Sequence, residues 1–163
     1  EGAFYDPTNF TFPAGCHICE VEVDPETGRT EIVGWTAVDD FGTVINPMIV
    51  DGQIIGAAAH GIGNALFEWM GFDADCQPIT ATLADYMLIT STETPNIDVL
   101  HMESPSPLNP LGVKGVGECG VLPAAPAIMS AIEDALSPFG VKIARTPIMP
   151  PEIVAAIHAA KRE

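Results

Sequence analysis

Over residues 17–23 apolar and polar side chains alternate, with Cys19, Val21 and Val23 on one face and Ile18, Glu20 and Glu22 on the other. A period of two is the pattern of a strand with one buried face. Asp24-Pro25-Glu26-Thr27-Gly28 follows, with Pro where a φ of about −65° is wanted and Gly where a positive φ closes the reversal. The pattern predicts a hairpin whose second strand covers 30–39. Asn46-Pro47 then reads as a helix start, since Asn can accept the unpaired N–H groups of the first turn and Pro at the next position loses no needed donor. That helix is expected to run to about Trp69. It contains Gly52, Gly56, Gly61 and Gly63, each costing about 1 kcal/mol relative to Ala. So many glycines call for a compensation: close approach of a backbone or ligand, or small-residue packing against a sheet.

Residues 76–92 and 97–102 read as strand-rich on their Thr, Tyr and Ile content, although 83–88 also suits a helix. Ser104-Pro105-Ser106-Pro107-Leu108-Asn109-Pro110 is expected to be an extended connector, because each Pro pushes its predecessor out of the helical region. Helices are predicted over 123–136 and, led in by Pro150-Pro151, over 152–161. Residues 1–13, aromatic-rich and broken by Pro7 and Pro13, read as an arm or linker. The fold class expected is α+β: a hairpin and mixed strands packed on a long Gly-rich helix, with C-terminal helices closing one side.

Composition narrows the function. With 163 residues, 47% hydrophobic and 17% charged, the chain can bury a core and is not of the disordered class. Six Lys plus Arg against 22 Asp plus Glu give a net charge of −16, the wrong sign for a nucleic-acid partner. No Lys or Arg occurs between Arg29 and Lys114, while eleven carboxylates do. An anion bound by that stretch must therefore lean on backbone N–H groups. A positive mean hydropathy in so acidic a chain implies apolar surface that is buried or faces a partner. No run of about 20 apolar residues suggests a membrane span. The chain opens on Glu1 with no signal segment, which suggests a preceding partner segment. Four cysteines are too few for a disulfide scaffold, so reduced thiols and a cytoplasmic setting are expected. Cys16-His17-Ile18-Cys19 has metal-ligand residue types, but no second ligand pair follows and no metal ligands are assigned.

Gly112-Val113-Lys114-Gly115-Val116-Gly117-Glu118-Cys119-Gly120 places four glycines in nine residues. Such a loop exposes backbone amides, yet it fits neither the dinucleotide fingerprint nor a Walker loop. Glu118 stands alone among glycines and apolar residues, where a desolvated carboxylate would suit general-base work.

Together with Asp51-Gly52-Gln53-Ile54-Ile55-Gly56 after Asn46-Pro47, this loop resembles the C-terminal part of the molybdenum-binding large subunit of the xanthine oxidase family. Carbon monoxide dehydrogenase and aldehyde oxidoreductase large subunits are nearest in character. The resemblance runs from about Thr11 to the C-terminus in one order: a hairpin ending in Asp39-Asp40-Phe41-Gly42, the Asn46-Pro47 helix, the Glu loop, an apolar helix and a Pro-led final helix. It implies that all 163 residues are a fragment of a larger molybdopterin-binding domain, with Glu118 as catalytic base. Gly117 would lie beside the molybdenum, Gln53 would contact the molybdopterin, Gly56 would allow close packing around it, and Gly115 would be a further cofactor-binding residue.

The implied cofactor is molybdopterin in its cytosine dinucleotide form, with phosphates held by backbone amides and helix N-termini. The implied reaction is hydroxylation of an aldehyde, an N-heterocycle or carbon monoxide with a water-derived oxygen. Cysteines are too few here for 2Fe-2S clusters, and no flavin fingerprint is present. The clusters and FAD would sit on other chains or segments, so the implied partners are the remainder of the large subunit, an iron–sulfur subunit and a flavin subunit. Alone the chain would be inactive. Cys119 departs from the family, which usually has a small residue or Pro after the base, and reads as a buried small hydrophobe. Lys114 could assist the base electrostatically or be structural, and His60, His101 and His158 show no partner pattern. Two rival readings are a non-catalytic acidic interaction module of the same fold and a small metal-binding protein using Cys16, His17 and Cys19.

Overall fold

The computed structural model describes residues 2–7 and 9–161. Of the expected 1–13 arm, residues 1 and 8 lie outside the described residues. The described part carries no helix or strand and leaves Phe4, Tyr5, Phe10 and Phe12 exposed.

β1 (Ala14–Val23) and β2 (Thr30–Asp40) form the expected antiparallel hairpin. Its turn is closed by Asp24, whose carboxylate accepts from Glu26 N–H at 2.9 Å and from the Thr27 hydroxyl at 2.7 Å, while Gly28 takes a φ of +72°. A Cβ at Gly28 would collide with the Pro150 carbonyl, so the turn also seats the start of the last helix. The register shifts between Glu20 and Val21, which pair with Gly34 and Ile32 and leave Val33 unmatched. This bulge exchanges the faces of β2. Trp35, Ala37 and Asp39 consequently turn inward, and Asp40 ends the strand.

The chain then crosses over through α1 (Pro47–Leu66) to β3 (Asp98–Met102), which pairs parallel with β2. The sheet is mixed, in the order β1-β2-β3. As expected, the Asn46 side chain caps α1 by accepting from Ile49 N–H, with Pro47 at the first position. The Pro-led segments give α2 (Ala124–Ala135) and α3 (Pro150–Ala160). One core joins Trp35 and Phe41 of the β2 end, Ile54 and Ile62 of α1, Ile128 and Ile132 of α2, and Ile153 and Ile157 of α3. α2 packs on both β1 and α1. No helix among the described residues is long and apolar enough to cross a membrane.

The expectation for 76–92 fails. That segment is a series of turns whose only pairing is an isolated bridge from Phe72 to Pro78. Its polar side chains satisfy the backbone locally: Asp85 accepts from Ala81 and Thr82 N–H, Glu93 from Thr90 N–H, and Thr80 from Gly71 N–H. Such short-range bonds compete with a sheet ladder. Ile79, Leu83 and Leu88 remain exposed, while Ile89 packs against the core.

Candidate functional site

The Gly-rich loop is fixed to the end of β2 before it reaches Glu118. Lys114 N–H donates to the Phe41 carbonyl at 2.8 Å, and Thr43 N–H and Ser106 N–H both donate to the Gly112 carbonyl at 3.0 Å. Gly42 and Gly112 have φ of +66° and +67°, and a Cβ on Gly42 would strike the Gly112 carbonyl. Here glycine is required twice, by backbone conformation and by close approach. Asp40 is the hub. Its carboxylate accepts from Gly42 N–H at 2.8 Å, Ser104 N–H at 3.0 Å and Lys114 Nζ at 3.0 Å. The two backbone donors first, then Lys114, hold it well below the usual carboxylate range. Lys114 thus has a structural partner in Asp40.

Past this anchor, residues 117–123 make turns that lead into α2. Gly120 is where the turn presses on α1: a Cβ there would stand 2.6 Å from the Ile54 carbonyl and 2.8 Å from Ala57 Cβ. Three residues earlier, the Gln53 side-chain amide donates to the Gly117 carbonyl at 2.8 Å, joining positions 64 apart in sequence. Backbone contact on one side and a hydrogen bond on the other set the turn against the helix.

Between them lies a groove of about 390 Å³, lined among others by Gly52, Gln53, Gly56, His60, Gly117 and Glu118. Its volume falls within the range of small-molecule sites, roughly 300 to 1,000 Å³. Cβ atoms added at Gly52, Gly56 or Gly117 would meet nothing within 4 Å. The glycines leave room that the chain itself does not use. Of the five candidates, Glu118, Gln53, Gly117 and Gly56 therefore meet at one place. Gly115 does not line it; its hypothetical Cβ would approach only Pro13 Cδ, at 3.9 Å. Glu118 is exposed. The desolvating surroundings expected from its apolar sequence neighbours are not supplied by this chain: Val116 and Cys119 pack against the core, and Leu122 is itself exposed.

His60 carries no motif in the sequence, although positions 53, 56 and 60 share one helix face by their spacing of three and four. His101, in contrast, has a partner: its Nε2 is 2.7 Å from Asp51 Oδ1, linking β3 to α1. Cys119 donates its thiol to the Val116 carbonyl, and burial, followed by the charge of Asp39, pushes it up to about 11. A thiol so perturbed is inert at neutral pH, in keeping with a packing role.

The metal reading of Cys16-His17-Ile18-Cys19 has no geometric basis. On a strand Cys16 and Cys19 point to opposite faces. The His17 side chain is fully buried, with Nε2 at 3.1 Å from Asp39 Oδ2 and its ring edge-on to Trp35. Among the described residues no three His, Cys, Asp or Glu side chains converge as metal ligands.

Comparison with known proteins agrees with this arrangement. Residues 1–95 match the family described as molybdopterin cofactor-binding domain. This chain belongs to that family. The match ends before the Glu118 turn, but whole-chain relatives extend through it. The chain is 43% identical over 152 residues to the 6-hydroxypseudooxynicotine dehydrogenase complex subunit gamma of Paenarthrobacter nicotinovorans, covering 93% of this chain and 19% of that one. It is 43% identical to the carbon monoxide dehydrogenase large chain of Hydrogenophaga pseudoflava, covering 85% and 17%. The crystal structure of quinoline 2-oxidoreductase from Pseudomonas putida 86 superimposes with a TM-score of 0.92 at 42% identity, over 96% of this chain and 20% of that one. The family is that of the xanthine oxidase and carbon monoxide dehydrogenase large subunits, and this chain spans about a fifth of the length of such relatives.

Proposed function

We propose that residues 1–163 form the C-terminal, base-carrying portion of a molybdopterin-binding domain in a molybdenum hydroxylase, cytoplasmic and incomplete without the rest of the large subunit. The observation that carries this reading is the groove itself: an unfilled glycine wall on α1, with Glu118 on a turn that Gln53 and Gly120 fix against the same wall. The donor set suits a molybdopterin, since bare glycine backbone admits a flat, bulky ligand that side chains would exclude. Gln53, Gly56 and Gly117 would form the cofactor's contact surface, with Gly115 on the loop leading to it. When bound, the molybdenum cofactor supplies the two-electron redox chemistry of the hydroxylation.

What the chain contributes is positional and protolytic. The Gln53 bond to the Gly117 carbonyl sets the backbone immediately before Glu118, so the carboxylate's reach into the groove is defined by α1. Its carboxylate oxygens take the proton from the water-derived oxygen that attacks the substrate carbon. Exposed here, the carboxylate would be enclosed once the other wall of the groove is added. 2Fe-2S clusters and FAD, on partner subunits, would supply the onward electron transfer. The substrate is a small molecule with an electrophilic carbon: an N-heterocycle, as in the names of the nicotine and quinoline relatives, an aldehyde or carbon monoxide.

Glu118→Gln in the assembled enzyme tests the reading. It preserves shape and one acceptor but cannot take a proton, and general-base catalysis is worth about 10² to 10⁴-fold. The rate of enzyme reduction by substrate should fall at least about a hundredfold at unchanged molybdenum content. Reduction at the wild-type rate would favour the rival reading of a non-catalytic acidic module.

A further inference from the structure

The groove faces an electrostatic problem. The chain carries a net charge of −16, Glu118 lines the groove, and no Lys or Arg lies anywhere between Arg29 and Lys114. A phosphate-bearing occupant would meet a negative field that disfavours its approach. Backbone N–H groups offset part of this, but they carry no net charge. One side chain lining the groove can: His60, exposed, two helical turns beyond Gln53 and so about 10 Å further along the α1 axis. Among the described residues its ring has no hydrogen-bond or ion-pair partner, whereas His101, the other histidine of that stretch, is held by Asp51.

We propose that His60 is the cationic anchor of the groove, its imidazolium donating to a phosphate-class anionic group of the occupant. The proposal rests on reading the groove as a cofactor wall. It makes retention of the occupant dependent on pH, because an imidazole changes charge between about pH 5 and 8. The other titratable group facing the groove is Glu118. Asp51, on the same helix, and Glu68, just beyond its end, bind His101 and Tyr86. On α2, Glu133 binds Lys142, and Asp134 lies at the end of the helix remote from Gly61 and Ala124. The anchor therefore shares the groove with one carboxylate, that of Glu118.

The test uses the enzyme assembled from this chain and the remainder of its large subunit. Molybdenum and released pterin per protein are measured after dilution at about pH 6 and about pH 8.5. The wild type should hold its cofactor about tenfold more tightly at the lower pH, the size of one charge-assisted hydrogen bond. His60→Gln should lose both that affinity and its pH dependence, and His60→Lys should keep the affinity at both pH values. If both variants load and release like the wild type, the anchor assignment is wrong. It is also overturned if His60→Gln slows turnover at unchanged cofactor content, which would mark a role in the reaction rather than in binding. Gly56→Leu separates this outcome from failure of the groove reading. Its added atoms enter space that is open in this chain, so an unchanged unfolding midpoint with normal loading would mean that the occupant does not lie in the groove at all.

Discussion

Gly56 and Gly61 sit five residues apart on α1 in contrasting surroundings. A Cβ on Gly61 would collide with Ala124 Cβ and stand 3.1 Å from the Val121 carbonyl, whereas one on Gly56 would meet nothing within 4 Å. The facing turn repeats the contrast, with Gly120 pressed on the Ile54 carbonyl and Gly117 open. At the packed end, the cost of glycine in a helix is offset by the close approach of α2. At the open end, Gly52 and Gly56 cost about 1 kcal/mol each with no return inside the chain. A cost left uncompensated by the chain's own packing supports the proposal that the open end faces a ligand.

The comparison can be broken most sharply at Gly120. Gly120→Val would push a branched side chain into α1, and overpacking of this kind costs about 1–3 kcal/mol. Urea unfolding should show that loss, and an unchanged midpoint would mean the packed end is not packed. Asp40 tests the anchor of the same end. Because its folded carboxyl lies below the ordinary value of about 4, the unfolded chain takes up a proton that the folded chain refuses as pH falls through that range. Its stabilising contribution is present above about pH 4 and is lost progressively below it. Asp40→Asn should therefore be less stable than wild type at pH 7, with the gap narrowing toward about pH 3 in paired urea titrations.

At the open end the expected effects on folding are smaller. Gln53→Ala removes one exposed hydrogen bond, worth about 0.5–1.5 kcal/mol, and should loosen the Glu118 turn. Molybdenum content of the assembled enzyme under limiting cofactor should fall, and equal loading would leave Gln53 a packing residue. Gly56→Ala should be neutral or raise the stability of the isolated chain by up to about 1 kcal/mol while lowering cofactor loading. A drop in stability would show that Gly56 belongs to the packed class after all.

Local pattern determined most of the fold. The alternation of β1, the Asp24 to Gly28 turn, the Asn46-Pro47 start of α1 and the Pro-led starts of α2 and α3 are each written within a few residues, and the structure follows them. Segment 76–92 misled because Thr, Asp and Glu side chains close its turns on themselves, a competition that β-propensity does not register. The groove was legible only in part. The family resemblance named Glu118, Gln53, Gly117 and Gly56, but only tertiary structure brought Gln53 onto the Gly117 carbonyl across 64 positions and placed His60 beside them. Tertiary structure also sorted the glycines: composition says how many a helix holds, while the neighbour that fills or leaves empty the space of a missing Cβ comes from another part of the chain. The exposure of Glu118 follows from the same physics, since a carboxylate is desolvated by the surfaces that close over it and not by its neighbours in sequence.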